Sequence, residues 1–380
     1  MSDWKLVKLN FGRNYAHFGE VGIGMEETGD RVRSDTLFSA WVSTYARLFE
    51  KDAVEELLAQ FPTEKNPKHL PLFQLSSTFI YREEGDRTIY YLPRPLQFPI
   101  DYPKDNDLDF FKTYKKLNYL PLEVWQRWYQ GEGFTKSDRQ ELIDQTNKKE
   151  SDGLLHKAGT FDYSKAYKIG QEPKIAVDRI TRATNLYHTG FVQFQWKQNG
   201  DEIKSSSGLY FLVYFPEKQE QLAANLYAAL YLLGEEGLGG ERSSGAGRFE
   251  VEWLDLPETW TKIINPPKPL THYCSIGLFW DNDPANLNQL ITAKEDTAYE
   301  IIERGGWISS SPSGHQLRRK MVRMFAEGSV FPKQPLGKLV DVTPDEFITP
   351  EGEYKYHPIY RCGIGLSLPI KISDSSKSKP

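Results

Sequence analysis

The chain is poor in the residues that build disulfide frameworks and metal centres. Only Cys274 and Cys362 occur in 380 residues. Each sits in an apolar, strand-like run, so both read as reduced core residues of a cytoplasmic protein. The seven histidines are scattered, with no HxH, HExxH or CxxC spacing, and no metal site is expected. No apolar run approaches the ~18 residues of a membrane span, and MSDWKLVKLN lacks the apolar core of a signal peptide, so no membrane partner is expected. GxxxxGK[ST] and GxGxxG between a strand and a helix are missing too, which removes the main support for nucleotide hydrolysis or a dinucleotide cofactor. No cofactor is expected. Acid pairs such as Glu26–Glu27 and Asp281/Asp283 read as surface and turn residues, the latter before Pro284.

An excess of positive charge is lacking as well. Lys and Arg number 47 against 52 Asp and Glu, for a net charge of −5. That argues against indiscriminate nucleic-acid binding but leaves room for a local basic groove. Charge is unevenly placed. Arg304 through Ala326 contain Arg304, Arg318, Arg319, Lys320 and Arg323 and no acid, while Lys157 through Arg182 hold six basic residues against three acidic.

What is present in quantity is aromatic and strand-like sequence, with 21 Tyr, 21 Phe and 9 Trp. Trp4–Phe11 reads as a first strand. Leu37, Trp41, Tyr45 and Leu48 then recur at helical spacing, with Ser34 or Asp35 placed to cap the start. Leu72–Arg82 and Thr88–Pro95 read as two strands turning at EEGD. From about residue 97 to 171 the pattern loosens and reads as an insertion. Strand-like pieces around a basic middle follow at about 172–196, then a strand at Gly208–Phe215. Next come a helix carrying Leu222, Leu226, Leu230 and Leu233 on one side and a strand at Arg248–Trp253. Stripped of insertions, this order is β-α-β-β-α-β, a ferredoxin-like domain spanning 1–258. After a Pro-rich linker, residues 259–372 read as a degenerate second copy, and 373–380 as a disordered tail. The fold class expected is therefore α+β, with two ferredoxin-like domains.

The most unusual passage is GLGGERSSGAGRFEV, Gly237–Val251, which leads from helix to strand. Glycines let a backbone approach a ligand closely and turn its amides towards phosphate oxygens. Arg242 and Arg248 add bidentate donors, and Ser243 and Ser244 add hydroxyls. A flexible surface connection is the plainer alternative.

This passage resembles the glycine-rich loop of the RAMP superfamily, the RNA-recognition-motif-like proteins of CRISPR systems. VRSDTLFSA (Val32–Ala40) is similar to the first helix of one branch, the fourth Csm subunit of type III-A effector complexes. IAVDRITRAT (Ile175–Thr184) resembles that branch's thumb hairpin, and RGGWISSSPSG (Arg304–Gly314) with HPIYRCGIGLSLPI (His357–Ile370) its C-terminal domain. The resemblance implies a non-catalytic subunit that holds the 5′ repeat-derived tag of the crRNA. It also implies partners: the large polymerase-like subunit and a backbone RAMP subunit.

The candidate RNA-binding residues are accordingly Gly240, Arg242, Ser243, Ser244, Gly245 and Arg248 of the loop; Arg179, Ile180, Thr181 and Arg182 of the hairpin; and Arg13, His17, Arg33 and Ser34 around the first helix. At the hairpin, the alternative is that Asp178 simply pairs with an arginine. Trp307, Arg318, Arg319 and Arg323 are expected at a subunit contact. No catalytic residue is expected. Two rivals stand beside this reading: a metal-independent precursor-RNA endonuclease of the same superfamily, using His17, and the equivalent tag-binding subunit of a type III-B complex.

Overall fold

The structure, a computed structural model, describes residues 2–19, 24, 26–103, 108–200, 202–291, 296–308, 317–349 and 356–372. The expected tail at 373–380 and residues 309–316 of the serine-rich stretch lie outside these. The chain opens with β1 (Asp3–Asn10), β2 (Tyr15–Ala16), α1 (Ser34–Ala59), β3 (Gln74–Leu75), β4 (Phe79–Glu84) and β5 (Arg87–Pro93). Then follow α2 (Leu108–Lys116), β6 (Tyr119–Pro121), α3 (Leu122–Gln130), α4 (Lys136–Thr146) and α5 (Leu154–Lys157). A long hairpin, β7 (Tyr167–Val177) and β8 (Thr184–Phe194), precedes β9 (Trp196–Asn199), β10 (Glu202–Phe215), α6 (Glu220–Glu236) and β11 (Glu250–Asp255).

Among the described residues the main sheet runs in the order β11-β1-β10-β4-β5-β6, with every pairing antiparallel. Successive side chains of a strand point to opposite faces, and both faces are covered. Val7, Leu9, Leu209 and Phe211 point into one core beneath α1 and α6. Leu6, Tyr210 and Leu212 point into another. Trp41 ties α1 to α6, its Nε1 donating to the Leu226 carbonyl at 2.7 Å.

The segment around 97–171 supplies much of that second core. Phe110, Tyr114, Val124, Trp125, Trp128, Tyr129 and Leu142 of α2–α4 pack with Trp260, Ile276 and Leu368 from later in the chain. Arg127 and the Trp128 indole converge on Asp138, which also completes a capping box with Thr135 at the start of α4. Truncating one of these buried tryptophans costs about 3–5 kcal/mol, so the helices belong to the body of the protein.

The later part adds α7 (Glu258–Ile264), β12 (His272–Ser275), α8 (Pro284–Leu290), β13 (Ile301–Arg304), β14 (Val322–Phe325), β15 (Val330–Phe331), β16 (Leu339–Asp341), β17 (Tyr360–Cys362) and β18 (Ser367–Ile370). Among the described residues these strands form a three-stranded sheet, β15-β12-β18, and two separate pairs. The chain is thus mixed α+β with antiparallel sheets. No helix among the described residues is long and apolar enough to cross a membrane. Both cysteines are free and buried.

Two buried carboxylates join the two parts. Glu327 accepts Arg31 Nη1 and Nη2 at 3.2 Å each, Arg33 Nη1 at 2.5 Å, and the Ser77 hydroxyl. Asp35 accepts Arg304 Nε at 2.9 Å and is paired with Arg361. Burial alone would raise both carboxyls; the adjoining guanidiniums outweigh it and hold both below the usual carboxylate range. This corrects the expected cap. Arg33 occupies the N-cap position without a side-chain cap of its own, and the first-turn amides of Ser34 and Thr36 donate to Ser77 Oγ at 2.9 Å and Asp35 Oδ1 at 2.8 Å. Ser34 is buried, its Oγ accepting the Leu278 N–H at 2.8 Å, and it is unavailable to RNA.

Glu327→Gln leaves the buried Arg31 and half-buried Arg33 guanidiniums facing a neutral amide and is expected to cost about 3–5 kcal/mol, read as a lower urea midpoint. Because the folded carboxyl is depressed, its stabilisation is complete above its ordinary value of 4.5 and fades as pH falls below it. The variant should lose that part of the acid limb.

Candidate nucleic-acid interface

A cavity of about 340 Å³ opens where α1, the loop after β2 and the glycine-rich loop meet. Its walls include His17, Thr36, Gly239, Gly240 and six arginines. Ion pairing sorts those arginines. Arg31 and Arg33 share Glu327, Arg304 pairs with Asp35, and Arg47 with Glu236. Arg242 and Arg319 have no carboxylate partner among the described residues. Burial, with Arg361 adding repulsion, holds the Arg319 guanidinium down to about 10, and its Nε makes no hydrogen bond. A half-buried, unneutralised cation is a standing cost at neutral pH that a bound anion relieves.

The loop is built tightly. Gly240 N–H donates to the His17 carbonyl at 2.9 Å. A Cβ at Gly240 would come within 2.7 Å of His17 Cδ2, so this glycine is required by the protein's own packing. Glu241 adopts a left-handed φ of 57°, and its carboxylate is paired with Lys174 of β7. That pair fastens the loop to the long hairpin and removes the loop's only acid from the ledger. Several loop amides serve the loop itself, those of Leu238, Ser244, Gly245 and Ala246 among them, while the Gly247 N–H donates to the Tyr15 carbonyl of β2 at 2.8 Å. The N–H groups of Glu241, Arg242 and Ser243 enter no hydrogen bond among the described residues, and successive free amides beside a left-handed residue suit an anion.

His17 is buried, and its Nδ1 lies 2.8 Å from the Gly190 carbonyl. A carbonyl only accepts, so Nδ1 carries the proton and Nε2 is the nitrogen left for chemistry or contact. Gly190 belongs to β8, so hairpin, loop and histidine form one unit.

The other expected residues are spread more widely. Ser243, Ser244 and Gly245 form a turn beside the cavity, with both serines exposed. Arg248 is exposed and does not line it. Arg179, Ile180, Thr181 and Arg182 crown the hairpin, with Ile180 93% exposed. Asp178 pairs with no arginine among the described residues. It accepts the N–H groups of Ile180 and Thr181 at 2.8 and 2.6 Å, and these bonds keep its carboxyl below the usual range. Arg182 takes the left-handed φ of 56° that closes the turn. Arg13 belongs to a separate groove, donating to Gln198 at 3.0 Å.

Of the residues expected at a subunit contact, Arg318 stacks on Trp307 at 4.7 Å and Arg323 pairs with Glu303 at 3.1 Å. Arg319 turns the other way, into the cavity. Sequence reasoning missed it there, together with Arg31, Arg47, Lys174 and Glu241. Only Glu241 carried a local signal, as an acid inside a basic loop. Among the described residues no cluster of three or more His, Cys, Asp or Glu is placed to hold a metal ion.

Residues 268–370 match the family model described as the CRISPR Csm4 C-terminal domain. The chain is 26% identical over 355 residues to "CRISPR system Cms protein Csm4" of Methanocaldococcus jannaschii, covering 86% of this chain and 85% of that protein. Its counterpart from Streptococcus thermophilus is 25% identical, covering 90% and 94%. Among solved structures, a chain of the Csm3-Csm4 subcomplex in the type III-A CRISPR-Cas interference complex superposes with a TM-score of 0.56 at 19% identity, covering 96% of this chain and 99% of that one. The chain thus resembles Csm4 over most of its length.

Replacing the uncompensated cavity cation, Arg319→Met, should raise the thermal midpoint of the free protein while weakening RNA binding. Thermal denaturation and filter binding on the same preparation check both.

Proposed function

We propose that this chain is the Csm4-type subunit of a type III-A CRISPR effector, without catalytic activity of its own, and that it holds the 5′ repeat-derived tag of the crRNA. The observation that carries the reading is the cavity beside the glycine-rich loop. Two guanidiniums without a carboxylate partner and a histidine line one small space, and the three free amides lie in the loop beside it. That donor set suits the phosphates of a single strand passing along the loop. The hairpin crown, with Arg179 and Arg182 flanking the exposed Ile180, offers an apolar wedge between phosphate contacts for the next nucleotides.

The wider proposal has the two domains, 1–258 and 259–372, as variants of one ferredoxin-like fold acting in the cytoplasm. The subunit bridges the large polymerase-like subunit to the backbone RAMP subunit, with the Trp307–Arg318 stack and Arg323 on a partner-facing surface. The likeness to Csm4 proteins and to the Csm3-Csm4 subcomplex supports this arrangement. The precursor-RNA endonuclease is a second reading favoured by one observation, His17 in the cavity wall with Nε2 uncommitted. Against it, no second acid–base side chain hydrogen-bonds to His17 among the described residues.

The deciding experiment incubates repeat-containing crRNA with the purified protein in EDTA and measures binding and RNA integrity together. The expected result is intact RNA, with affinity reduced on the order of ten- to a hundredfold in Arg242→Ala/Arg319→Ala, the scale of lost charge-assisted hydrogen bonds. Cleavage at one repeat position, abolished by His17→Ala, would instead make this a processing nuclease. Copurifying subunits distinguish the type III-A from the type III-B assembly.

A further inference from the structure

A second concavity, an open groove of about 1390 Å³, lies at the base of the long hairpin. The two linings share no residue. Six cations, Arg13, Arg82, Lys165, Lys168, Lys197 and Lys204, line the groove against two carboxylates, Glu84 and Asp162. This is a sharp reversal on a chain whose net charge is −5.

The two carboxylates are already engaged. Asp162 takes Lys165 at 2.6 Å and lies 3.5 Å from Arg82 Nη1, and Glu84 pairs with Arg82 Nη2. Arg82 is 4% exposed, and its Nε and Nη1 make no hydrogen bond, so it stands as a fixed set of donors in the floor, its charge offset by those carboxylates. Lys168, Lys197 and Lys204 are exposed and have no carboxylate partner among the described residues. They come from three different strands, β7, β9 and β10, so no single helix or strand face accounts for their convergence.

We infer that this groove is a second nucleic-acid track, binding the backbone of a single strand separately from the glycine-loop cavity. Its dimensions exceed the ~300–1,000 Å³ of small-molecule pockets, which suits a chain passing through. Lysines supply sequence-independent phosphate contacts. Trp196 and Tyr167, both half-buried, offer aromatic surface for bases, and the Trp196 Nε1 has no hydrogen-bond partner. Gln193, Gln195 and Gln198 add side-chain amides. An acidic protein segment is the competing occupant. It fits less well because lysines, which are depleted at protein interfaces, supply four of the six cations in the lining.

The inference does not depend on tag binding in the other cavity, and the test separates the two. A fluorescent oligouridine of about twelve nucleotides, within the usual footprint of single-strand binders, is titrated against the full chain at several salt concentrations. Lys168→Gln/Lys197→Gln/Lys204→Gln should lose tenfold or more in affinity and flatten the slope of log K against log salt by about two, at ~0.7 per phosphate contact. 4-Thiouridine crosslinks should map to Tyr167 or Trp196 and persist in Arg242→Ala/Arg319→Ala. If the triple variant fails to fold, as seen in its circular dichroism, Lys204→Gln alone should flatten the slope by about 0.7. Unchanged affinity and slope with no crosslink in the groove would overturn the inference. So would unchanged RNA binding accompanied by loss of a copurifying subunit, which would make the groove a protein contact.

Discussion

Everything around the glycine-loop cavity depends on two carboxylates that never see water. Asp35 and Glu327 each hold two arginines, and each pairing spans the sequence from the first helix to the last third of the chain. Buried ion pairs stabilise weakly over a well-packed apolar alternative, but a missing partner is expensive. The arrangement therefore fixes geometry more than it adds stability: α1 starts where it does because the C-terminal chain closes over its first turn. It also decides which cations remain available. Four arginines in this region are consumed by structure, and the two left without a carboxylate reach the cavity from the glycine-rich loop and from the C-terminal part of the chain.

Local pattern made part of this legible. β1, α1, β4, β10, α6 and β11 follow the periodicities of period-2 strands and amphipathic helices, and the loop between α6 and β11 announced itself by composition. Where long-range partners decide, the pattern misled. Ser34 and Asp35 look like caps because capping is a local rule, yet apart from the Thr36 N–H on Asp35 their partners are the remote Ser77, Leu278, Arg304 and Arg361. The depth to which the segment from 97 to 171 packs was hidden, because its helices are short and crowded with aromatics and charges. The burial of Trp125 and Trp128 depends on a sheet face and on Trp260, all remote in sequence. Arg319 and Arg318 are adjacent, and nothing in a basic run reveals which of two neighbours turns inward.

The glycine-rich loop illustrates how one sequence feature can serve two ends. Its glycines are needed to lie against the His17 strand, and the resulting shape presents free amides and Arg242. The Glu241–Lys174 pair extends this to the hairpin, so the crown that carries Arg179 and Arg182 and the loop that carries Arg242 are mechanically joined. A strand lying across both meets a surface already set in relative position, which limits the ordering that binding must supply.

The two thiols have a use beyond packing. Burial pushes both up, Cys362 to about 12 and Cys274 higher still, so neither forms a thiolate in the folded chain at neutral pH. Cys362 lies in the core under α1 and α6, while Cys274 lies in the core shared by α2–α5 and the C-terminal strands. An alkylating reagent therefore meets a chemically silent protein until one layer opens, and the order in which the two sites react records which layer opens first.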